Sequence, residues 1–548
     1  MRYSIVVVIT ALLIGLLMQA PQLLQMQSPL YRGVPLQLNS DEDVYLARLE
    51  ESLAGRPEQS SEAIVGDPEL LGSQAGLFER VEGAIFRPFG LRAATVEQIM
   101  DFVVPPAIFL ALIIFFSLCG FRRWPGFFGA CAFVLIELYS LNRPVQPRGS
   151  FLLLLLAFSA IIVGLERRWV AGCIGGAILG ILIGVYFWAW TFGWLWLVLL
   201  FLCAVIEWLW RGSRDALRRA LLLCLFGFAG VLAAIPALFE LRLIMRHPLY
   251  ADAVFRSGMH AGRLPESWPY SILFTVMMLG VVFTWWNKPW RDRTAYAVVT
   301  VLTAFIAIHQ QILHGTVFNF VSHYLFALVV AAICVVLLWH VAASPSAIAQ
   351  KPALFCSMMA ALVYLGAIAY DGRYVFSQWT VRASRFSEQH FATLLPALDA
   401  IPRVTILSDG ATEQFIAGST KHDVVYTLYL KNVLMSHREI ADRYCATVLP
   451  VAAEERFLEH ASHIYPDAVG AFKDDPDVRQ REIQTVAAAC AAADLDPAAL
   501  LKRFGVQYVL WDERRQTGWD LKRLKVPLAK FASGSGWSLW SLNAVSPP

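Results

Sequence analysis

Charged residues are scarce in this sequence. Asp, Glu, Lys and Arg make up 16% of its 548 residues, whereas in soluble domains they make up about a quarter. Apolar residues account for 57%, and the mean hydropathy is +0.54. This composition excludes an ordinary soluble domain and favours a polytopic membrane protein. The formal net charge of +3 says little about partners, and no feature of the sequence indicates nucleic acid.

Cysteine is also sparse for a chain of this length. Seven of the nine cysteines lie in or beside apolar runs, namely Cys119, Cys131, Cys173, Cys203, Cys224, Cys334 and Cys356. Buried thiols in such runs usually act as small apolar side chains. Cys445 and Cys490 lie in the polar C-terminal part. They are candidates for one disulfide if that part faces an oxidising compartment, although two cysteines alone leave the pairing open.

Long apolar runs dominate the first two thirds of the chain. Eleven runs approach the ~20 residues that cross a bilayer as a helix. They cover 4–23, 102–121, 125–142, 150–165, 169–187, 191–210, 217–239, 268–286, 294–310, 321–340 and 353–371. No convincing cleavage site follows the first run, so we interpret it as a retained signal anchor. The sequence therefore predicts an all-α bundle of about eleven transmembrane helices over 1–371, with a long first external loop at 24–101.

Basic residues fall in alternate short loops of this predicted bundle. These loops carry Arg122 and Arg123, Arg167 and Arg168, Arg211 to Arg219, Lys288 to Arg293, and Lys351. The positive-inside rule makes these loops cytoplasmic, together with the N-terminus. The loops 24–101, 143–149, 240–267 and 311–320 and the C-terminus are then outside. We expect a multi-pass protein of the inner (plasma) membrane with a periplasmic or extracellular C-terminal domain.

The C-terminal part, 372–548, is predicted to be a soluble α/β domain. Residues 403–410, 505–512 and 536–542 are typical of short strands, and helical runs near 388–400, 436–446 and 481–502 separate them. Asp409 follows the first strand, where a structural turn role is favoured over an active-site acid. No glycine-rich phosphate loop and no GxSxG elbow occurs in this domain.

Three consecutive acids, Asp41, Glu42 and Asp43, lie in the first external loop. One interpretation is a helix start, with Ser40 as N-cap and the acids favoured by the helix dipole. The other is a reactive site, with Asp41 as a base and Glu42 as a ligand of a metal or a hydroxyl. Both interpretations are compatible, because a helix N-terminus fixes a carboxylate in place.

Other polar residues on the predicted outer face are candidates for substrate binding. Loop 143–149 holds Arg143 and Arg148 in a proline-stiffened turn, and the guanidinium fork suits phosphate; binding of lipid headgroups is an equally common role. Further candidates are Glu137, which could pair with Arg143, then Arg256, His260 and Arg263 of loop 240–267, and His309, Gln311, His314 and His323 as a sugar or phosphate pocket. The histidine spacing is not a zinc pattern.

Residues 77–87 show helical spacing of apolar positions between charged ones. They predict an amphipathic helix, lying flat on the outer membrane interface or packed on the bundle. These two positions are about equally compatible with the sequence.

The motif Asp41-Glu42-Asp43-Val44-Tyr45 resembles the Asp-Glu-x-x-Tyr pattern of GT-C glycosyltransferases, in the protein O-mannosyltransferase and aminoarabinose transferase branch. The layout of spans, amphipathic segment and outer C-terminal domain is similar to theirs. The Trp-Trp-Asp-Tyr-Gly signature of the oligosaccharyltransferase branch is missing.

This resemblance implies an inverting glycosyltransferase that uses a polyprenyl-phosphate sugar. The acceptor would be a hydroxyl on a glycan, lipid or protein at the outer face. Asp41 would be the general base, and Glu42 would orient it or bind a metal together with Asp43. Tyr45 would contact substrate, and Arg143, Arg148, Arg256 and Arg263 would meet the lipid phosphate. The family includes metal-dependent and metal-independent members, so a requirement for Mg²⁺ or Mn²⁺ stays open.

Two other function classes compete with this prediction. A lipid or polysaccharide transporter or flippase would place charges near the bilayer midplane and show broken helices or repeats. The predicted helix centres carry almost no charge, and no internal repeat is visible. A non-catalytic envelope assembly protein would bind ligand through the external domain and make the Asp-Glu pair dispensable.

Overall fold

The structure is a computed structural model that describes most of the chain. It covers 2–36, 42–56, 64, 76–142, 146–257, 259–265, 267–285, 293–317, 321–342, 352–427, 430, 433–456 and 476–542. The helices are α1 Arg2–Met26, α2 Glu42–Leu53, α3 Leu77–Phe86, α4 Ala93–Leu118, α5 Arg123–Ile136, α6 Gln146–Glu166, α7 Trp169–Ile181, α8 Phe187–Arg211, α9 Arg214–Arg246, α10 Tyr250–Arg256, α11 Trp268–Trp285, α12 Thr294–His314, α13 Leu325–Ala342, α14 Pro352–Asp371, α15 Val375–Gln378, α16 Leu394–Asp399, α17 Gly410–Ser419, α18 His437–Val448, α19 Pro476–Leu495 and α20 Pro497–Arg503. The strands are β1 His260–Ala261, β2 Thr316–Val317, β3 Thr405–Leu407, β4 Asp423–Val424, β5 Val506–Asp512, β6 Ala529–Gly534 and β7 Trp537–Ser541.

Each of the eleven predicted spans coincides with a helix. Within the described ranges, nine helices are long and apolar enough to cross a membrane: α1, α4, α6, α8, α9, α11, α12, α13 and α14. The exceptions are α5, with 14 residues, and α7, with 13. At about 1.5 Å per residue, helices of this length are shorter than the ~30 Å hydrocarbon core of a bilayer. The chain is a multi-pass membrane protein, but two of the predicted spans are shorter than the sequence indicated.

The chain divides into two compact units. The first comprises Met1–Pro21, Ile99–Leu241 and Ala261–Trp379, and it contains the apolar helices. Glycines let α7 approach α9 closely within this unit. A methyl group added at Gly176 would overlap the backbone oxygen of Phe226, and one at Gly180 would overlap the backbone oxygen of Gly230. The glycine-rich sequence of α7 therefore serves close helix packing.

The second unit comprises Gln22–Gln98, Arg242–His260 and Thr380–Pro548. Its five-stranded sheet has the order β4-β3-β5-β7-β6. Strands β4 and β5 run parallel to β3, while β7 is antiparallel to β5 and β6. The three strands predicted in the C-terminal part are confirmed as β3, β5 and β7, and β4 and β6 are additional.

Two side-chain roles considered in this unit are clear from the structure. Asp409 caps α17, because its carboxylate accepts hydrogen bonds from the backbone N–H groups of Ala411 and Thr412, each at 3.2 Å. This is the structural turn role that the sequence favoured.

Cys445 on α18 and Cys490 on α19 form a disulfide. The sequence had left open whether these two cysteines pair.

The first loop packs with the C-terminal domain in one compact unit. The sequence had instead grouped this loop with the transmembrane part, 1–371. The buried side chains of Val34 and Ala47 join one hydrophobic cluster with Ile406 and Leu510 of the sheet. The Gln389 side chain also accepts a hydrogen bond from the Val34 N–H at 3.2 Å and donates one to its carbonyl at 2.8 Å. Sequence distance hid this association, because the two segments are separated by more than 300 residues.

The predicted amphipathic helix is α3, but the face that it buries is polar. Glu79 and Glu82 are 2% and 3% exposed, whereas Val81 and Ile85 are 48% and 55% exposed. Arg48 of α2 lies 3.7 Å from Glu79 and compensates its charge. An exposed apolar face on a helix suits a membrane interface, and the flat position of α3 on that interface stays a prediction.

Candidate functional site

A cleft opens at one end of the first unit, where three apolar helices begin. Its cavity volume is about 20 Å³, which has room for about one water molecule. Its walls are the starts of α6, α8 and α13 and the 3₁₀ segment Val321–Tyr324 before α13. The lining residues are Ser150, Phe151, Leu154, Tyr186, Trp188, Ala189, His323, Tyr324, Phe326 and Ala327.

Hydrogen bonds connect the polar groups of the cleft. The Tyr186 hydroxyl lies 2.7 Å from Nδ1 of His323. The Tyr324 hydroxyl lies 2.8 Å from the Thr191 hydroxyl and accepts a hydrogen bond from Nε2 of Gln310 at 3.3 Å. These contacts fix the orientation of two phenols and an imidazole beside an apolar wall.

Aromatic rings form much of that wall. Trp188 packs edge-on against Tyr324, with ring centroids 5.0 Å apart, and edge-on against His323 at 5.6 Å. Tyr186 stacks on His323 at 6.0 Å. Such a surface presents flat apolar faces and a few oriented hydrogen-bonding groups, which is the usual character of a small-molecule site.

The arginine-rich ends of the same helices lie at the opposite end of the first unit from the cleft. Arg167 and Arg168 follow the end of α6, and Arg211 ends α8. Arg293, before α12, forms an ion pair with Glu166 at 2.7 Å. The positive-inside rule predicts that these ends are cytoplasmic and that the cleft faces outward.

Arg148 lies at the start of α6, two residues before Ser150 of the cleft wall. Its guanidinium forms an ion pair with Asp101 of α4 and donates a 3.4 Å hydrogen bond to the carbonyl of Leu141. The Arg148 side chain is 1% exposed. A predicted phosphate ligand is therefore already neutralised by a carboxylate that the sequence analysis did not single out.

Glu137 is a second buried acid in this unit. It directly follows α5 and is 1% exposed. Among the described residues, no Arg, Lys or His forms an ion pair with its carboxyl group. Its predicted partner Arg143 lies outside the described residues. Glu137 therefore stays a candidate for substrate binding.

Several other predicted site residues have structural partners instead. Arg263 donates to the carbonyls of Ile312 and Leu313, at 2.7 Å and 3.4 Å, and so caps the end of α12. In the second unit, Arg256 is fully buried and donates to the Val433 carbonyl at 2.7 Å. Both arginines were predicted to contact substrate at the outer face. For Arg256 this prediction is corrected, because the side chain is fully buried.

The predicted histidine and glutamine pocket is only partly assembled. His309 contacts the Ser271 hydroxyl through Nε2 and the Phe305 carbonyl through Nδ1 at 2.7 Å. Gln311 is buried and donates to the Ile308 carbonyl at 3.1 Å, and exposed His314 accepts from the Thr316 N–H at 3.2 Å. Among the predicted residues whose side chains the structure describes, His323 is the one that lines the cleft.

The acidic motif lies in the second unit and is described in part. Asp41 and Arg143 lie outside the described residues, and the side chains of Asp43 and His260 do as well. Helix α2 begins at Glu42, and Tyr45 is 8% exposed. A helix therefore starts at the acidic stretch, as the capping interpretation requires.

A metal site among these acids stays a prediction. In the part of the chain that the structure describes, no three His, Cys, Asp or Glu side chains come together as metal ligands. Glu42 is half-buried at the first position of α2. No step of the chemistry is therefore assigned to a metal.

Sequence reasoning missed four of the polar residues described above: Asp101, Tyr186, Thr191 and Tyr324. Asp101 and Tyr186 each lie next to or within an apolar run, where a single polar residue gives a weak signal. An ionisable residue at the edge of a membrane span is a functional candidate by default. Applied to Asp101, that rule alone would have found it.

Comparison with known proteins places this architecture among solved structures. The chain is similar to membrane glycosyltransferases. ArnT from Cupriavidus metallidurans bound to undecaprenyl phosphate aligns with a TM-score of 0.46 and 13% identity, over 100% of this chain and 99% of that one. Arabinofuranosyltransferase AftD from Mycobacteria gives 0.49 and 14%, over 98% of this chain and 40% of that one.

A third similar structure is the Archaeoglobus fulgidus oligosaccharyltransferase tethered to an acceptor peptide. It gives a TM-score of 0.45 and 10% identity, over 98% of this chain and 74% of that one. No family model and no curated protein matches the sequence.

Proposed function

We propose that this protein transfers a sugar from a polyprenyl-phosphate donor to an acceptor hydroxyl at the outer face of the membrane. The observation that carries the proposal is the cleft around Tyr186 and His323, at the start of three apolar helices. A sugar has hydroxyl groups that need oriented hydrogen-bond partners and carbon faces that pack on aromatic rings. The cleft offers both kinds of contact at the membrane surface.

The reaction requires a base and a stabilised leaving group. Asp41 accepts the proton of the acceptor hydroxyl, and the hydroxyl oxygen attacks the anomeric carbon of the donor. The bond between that carbon and the phosphate oxygen breaks, and polyprenyl phosphate leaves with the electron pair. One direct displacement of this kind inverts the anomeric configuration.

Cations near the phosphate stabilise the charge that develops on it. Arg143 and Arg148 are the candidates, because both belong to the segment that leads into α6. Arg148 contacts the phosphate only if Asp101 shares or releases it. Glu42 orients Asp41 or joins Asp43 as a metal ligand, and the requirement for Mg²⁺ or Mn²⁺ stays open.

Two independent features support an outer location for the second unit. Basic residues concentrate in the loops assigned to the cytoplasm. The Cys445–Cys490 disulfide belongs to an oxidising compartment, such as the periplasm or the cell exterior. We propose that the N-terminus is cytoplasmic and that the protein lies in the inner (plasma) membrane.

The test is a transfer assay on the full chain in proteoliposomes. Polyprenyl-phosphate sugars with labelled sugar groups are supplied with candidate glycan, lipid and protein acceptors. We expect label on the acceptor and stoichiometric release of polyprenyl phosphate, and we expect His323→Ala to reduce both. Movement of intact donor across the bilayer without release of polyprenyl phosphate would contradict the proposal and identify a flippase.

A further inference from the structure

Helix α2 carries three buried charged residues within four positions of the sequence. Arg48, Glu50 and Glu51 are 6%, 8% and 1% exposed. Buried charges are costly unless each has a partner. Each of these residues has one, and the three partners lie on different segments of the second unit.

The partners of Arg48 and Glu51 are charged. Arg48 lies 3.7 Å from Glu79 of α3. Glu51 accepts a 2.8 Å hydrogen bond from Nε of Arg56, and it also lies 3.7 Å from Arg403, just before β3. These pairs attach α2 to α3 and to the sheet through opposite charges.

Glu50 has a different kind of partner. Its Oε1 accepts a 2.9 Å hydrogen bond from the backbone N–H of Ala93, the first residue of α4. The first N–H groups of a helix have no acceptor within the helix. Because Ala93 is fully buried, the Glu50 side chain replaces the water that this N–H group would otherwise bind.

We propose that Glu50 is a positioning residue that holds α2, with Glu42 at its start, against the first turn of α4, and that ionisation of its buried carboxyl destabilises this position of α2. The inference rests on the proposed function insofar as Glu42 acts in transfer. The contact between α2 and α4 stands without it.

The burial of Glu50 supports the proposed effect of ionising its carboxyl. Burial raises the pKa of Glu50 to about 7, from an ordinary value of 4.5. The Ala93 N–H and Arg92 oppose this rise, whereas Glu51 and Asp399 add to it. Among these three charged neighbours Arg92 has the largest effect, and burial is the largest cause of the net rise in pKa.

The sign of the effect follows from that shift in pKa. The folded protein holds the Glu50 proton more tightly than the unfolded chain does. The stabilising contribution is complete below pH 4.5 and is lost as the pH rises through about 7. Transfer that requires the protonated form should fall by up to about thirtyfold between pH 6 and pH 8.5, as that form is depleted.

The experiment compares the full chain with Glu50→Gln in detergent or proteoliposomes from pH 5.5 to 8.5. The glutamine amide oxygen still accepts from Ala93 but never ionises. We expect the wild type to lose transfer rate and melting temperature above pH 7, and Glu50→Gln to keep both. Identical pH profiles of the two proteins would overturn the proposal.

Two further variants keep the test decisive. Glu51→Gln is a comparison variant on the same helix. It should retain a decline, with the midpoint at lower pH, because the Glu51 charge raises the pKa of Glu50. Ala93→Pro removes the N–H donor while suiting the first position of a helix, and it should move the midpoint of the decline to higher pH. An unchanged midpoint would contradict the role of this hydrogen bond.

The melting temperatures separate this proposal from the proposed function. Absence of transfer in every variant would contradict the glycosyltransferase function. A pH-dependent difference in melting temperature between wild type and Glu50→Gln would still support the role of Glu50. Equal melting temperatures at every pH would overturn that role whatever the activity.

Discussion

Arg148 at the start of α6 forms an ion pair with Asp101 of α4, and the Arg148 side chain is almost completely buried. Two polar residues at the edges of apolar helices are thereby joined inside the first unit. The pair fixes the guanidinium two residues from the wall of the cleft. Whatever role Arg148 has in substrate binding, its first role is to compensate the half-buried carboxylate of Asp101.

Removal of the Arg148 charge should therefore destabilise the protein. Arg148→Gln leaves the 21% exposed carboxylate of Asp101 without its counter-ion, at a cost of about 1–3 kcal/mol. The double variant Asp101→Asn, Arg148→Gln should recover most of that loss, because neither charge remains. The measurement is thermal unfolding in detergent. A single Arg148→Gln variant as stable as the wild type would show that the pair is not structural.

The hydrogen bond between Tyr186 and His323 gives a prediction for activity. Tyr186→Phe keeps the ring in the cleft but removes the hydroxyl that lies 2.7 Å from the imidazole. Loss of one oriented hydrogen bond, worth about 0.5–1.5 kcal/mol, should reduce transfer by about two- to tenfold. The assay is the initial rate of sugar transfer at saturating acceptor.

The matched control for this prediction is Tyr296→Phe. Tyr296 is a buried tyrosine of α12 in the same unit, near the arginine-rich end that carries Arg293. Its substitution should leave transfer unchanged. Equal losses in both variants would assign the effect to general damage to the bundle and not to the cleft.

The close packing of α7 on α9 gives a prediction for stability. At Gly176 a methyl group would overlap the backbone of Phe226, so Gly176→Ala should cost about 1–3 kcal/mol. Gly366, in α14, has no atom within 4 Å of an added methyl group. Gly366→Ala should therefore be neutral or stabilise by about 0.5–1 kcal/mol, since alanine favours a helix. Similar melting temperatures for both variants would contradict this packing.

The fold was predictable where composition alone determines an element. Apolar runs located the nine described helices that are long enough to cross a membrane, and also the shorter α5 and α7, because a helix in a bilayer must be apolar over most of its length. The strand around Val506–Asp512 was visible as an apolar run between turn residues. The lengths of α5 and α7 were not predictable, because an apolar loop or turn lengthens an apolar run without lengthening the helix.

The association of distant segments was not predictable in the same way. The sequence around apolar residues such as Val34 and Ala47 does not indicate which sheet residues pack against them. The buried faces of α3 show the same limit. Hydrophobic periodicity assigns the apolar face to the interior, but the partner Arg48 makes burial of Glu79 favourable. The cleft likewise depends on residues brought together from α6, α8, α12 and the segment before α13.

The central claim is that Asp41 is the general base of a sugar transfer. The most direct measurement is the transfer rate of Asp41→Asn in proteoliposomes, with donor binding measured in parallel and Asp43→Asn as the matched control. We expect Asp41→Asn to lose about 10²- to 10⁴-fold in rate, the usual contribution of a positioned base, while donor binding survives. Asp43→Asn should lose little. Normal transfer by both Asp41→Asn and Glu42→Gln would contradict the mechanism, because a helix cap would lose at most about 1 kcal/mol of stability and no specific step.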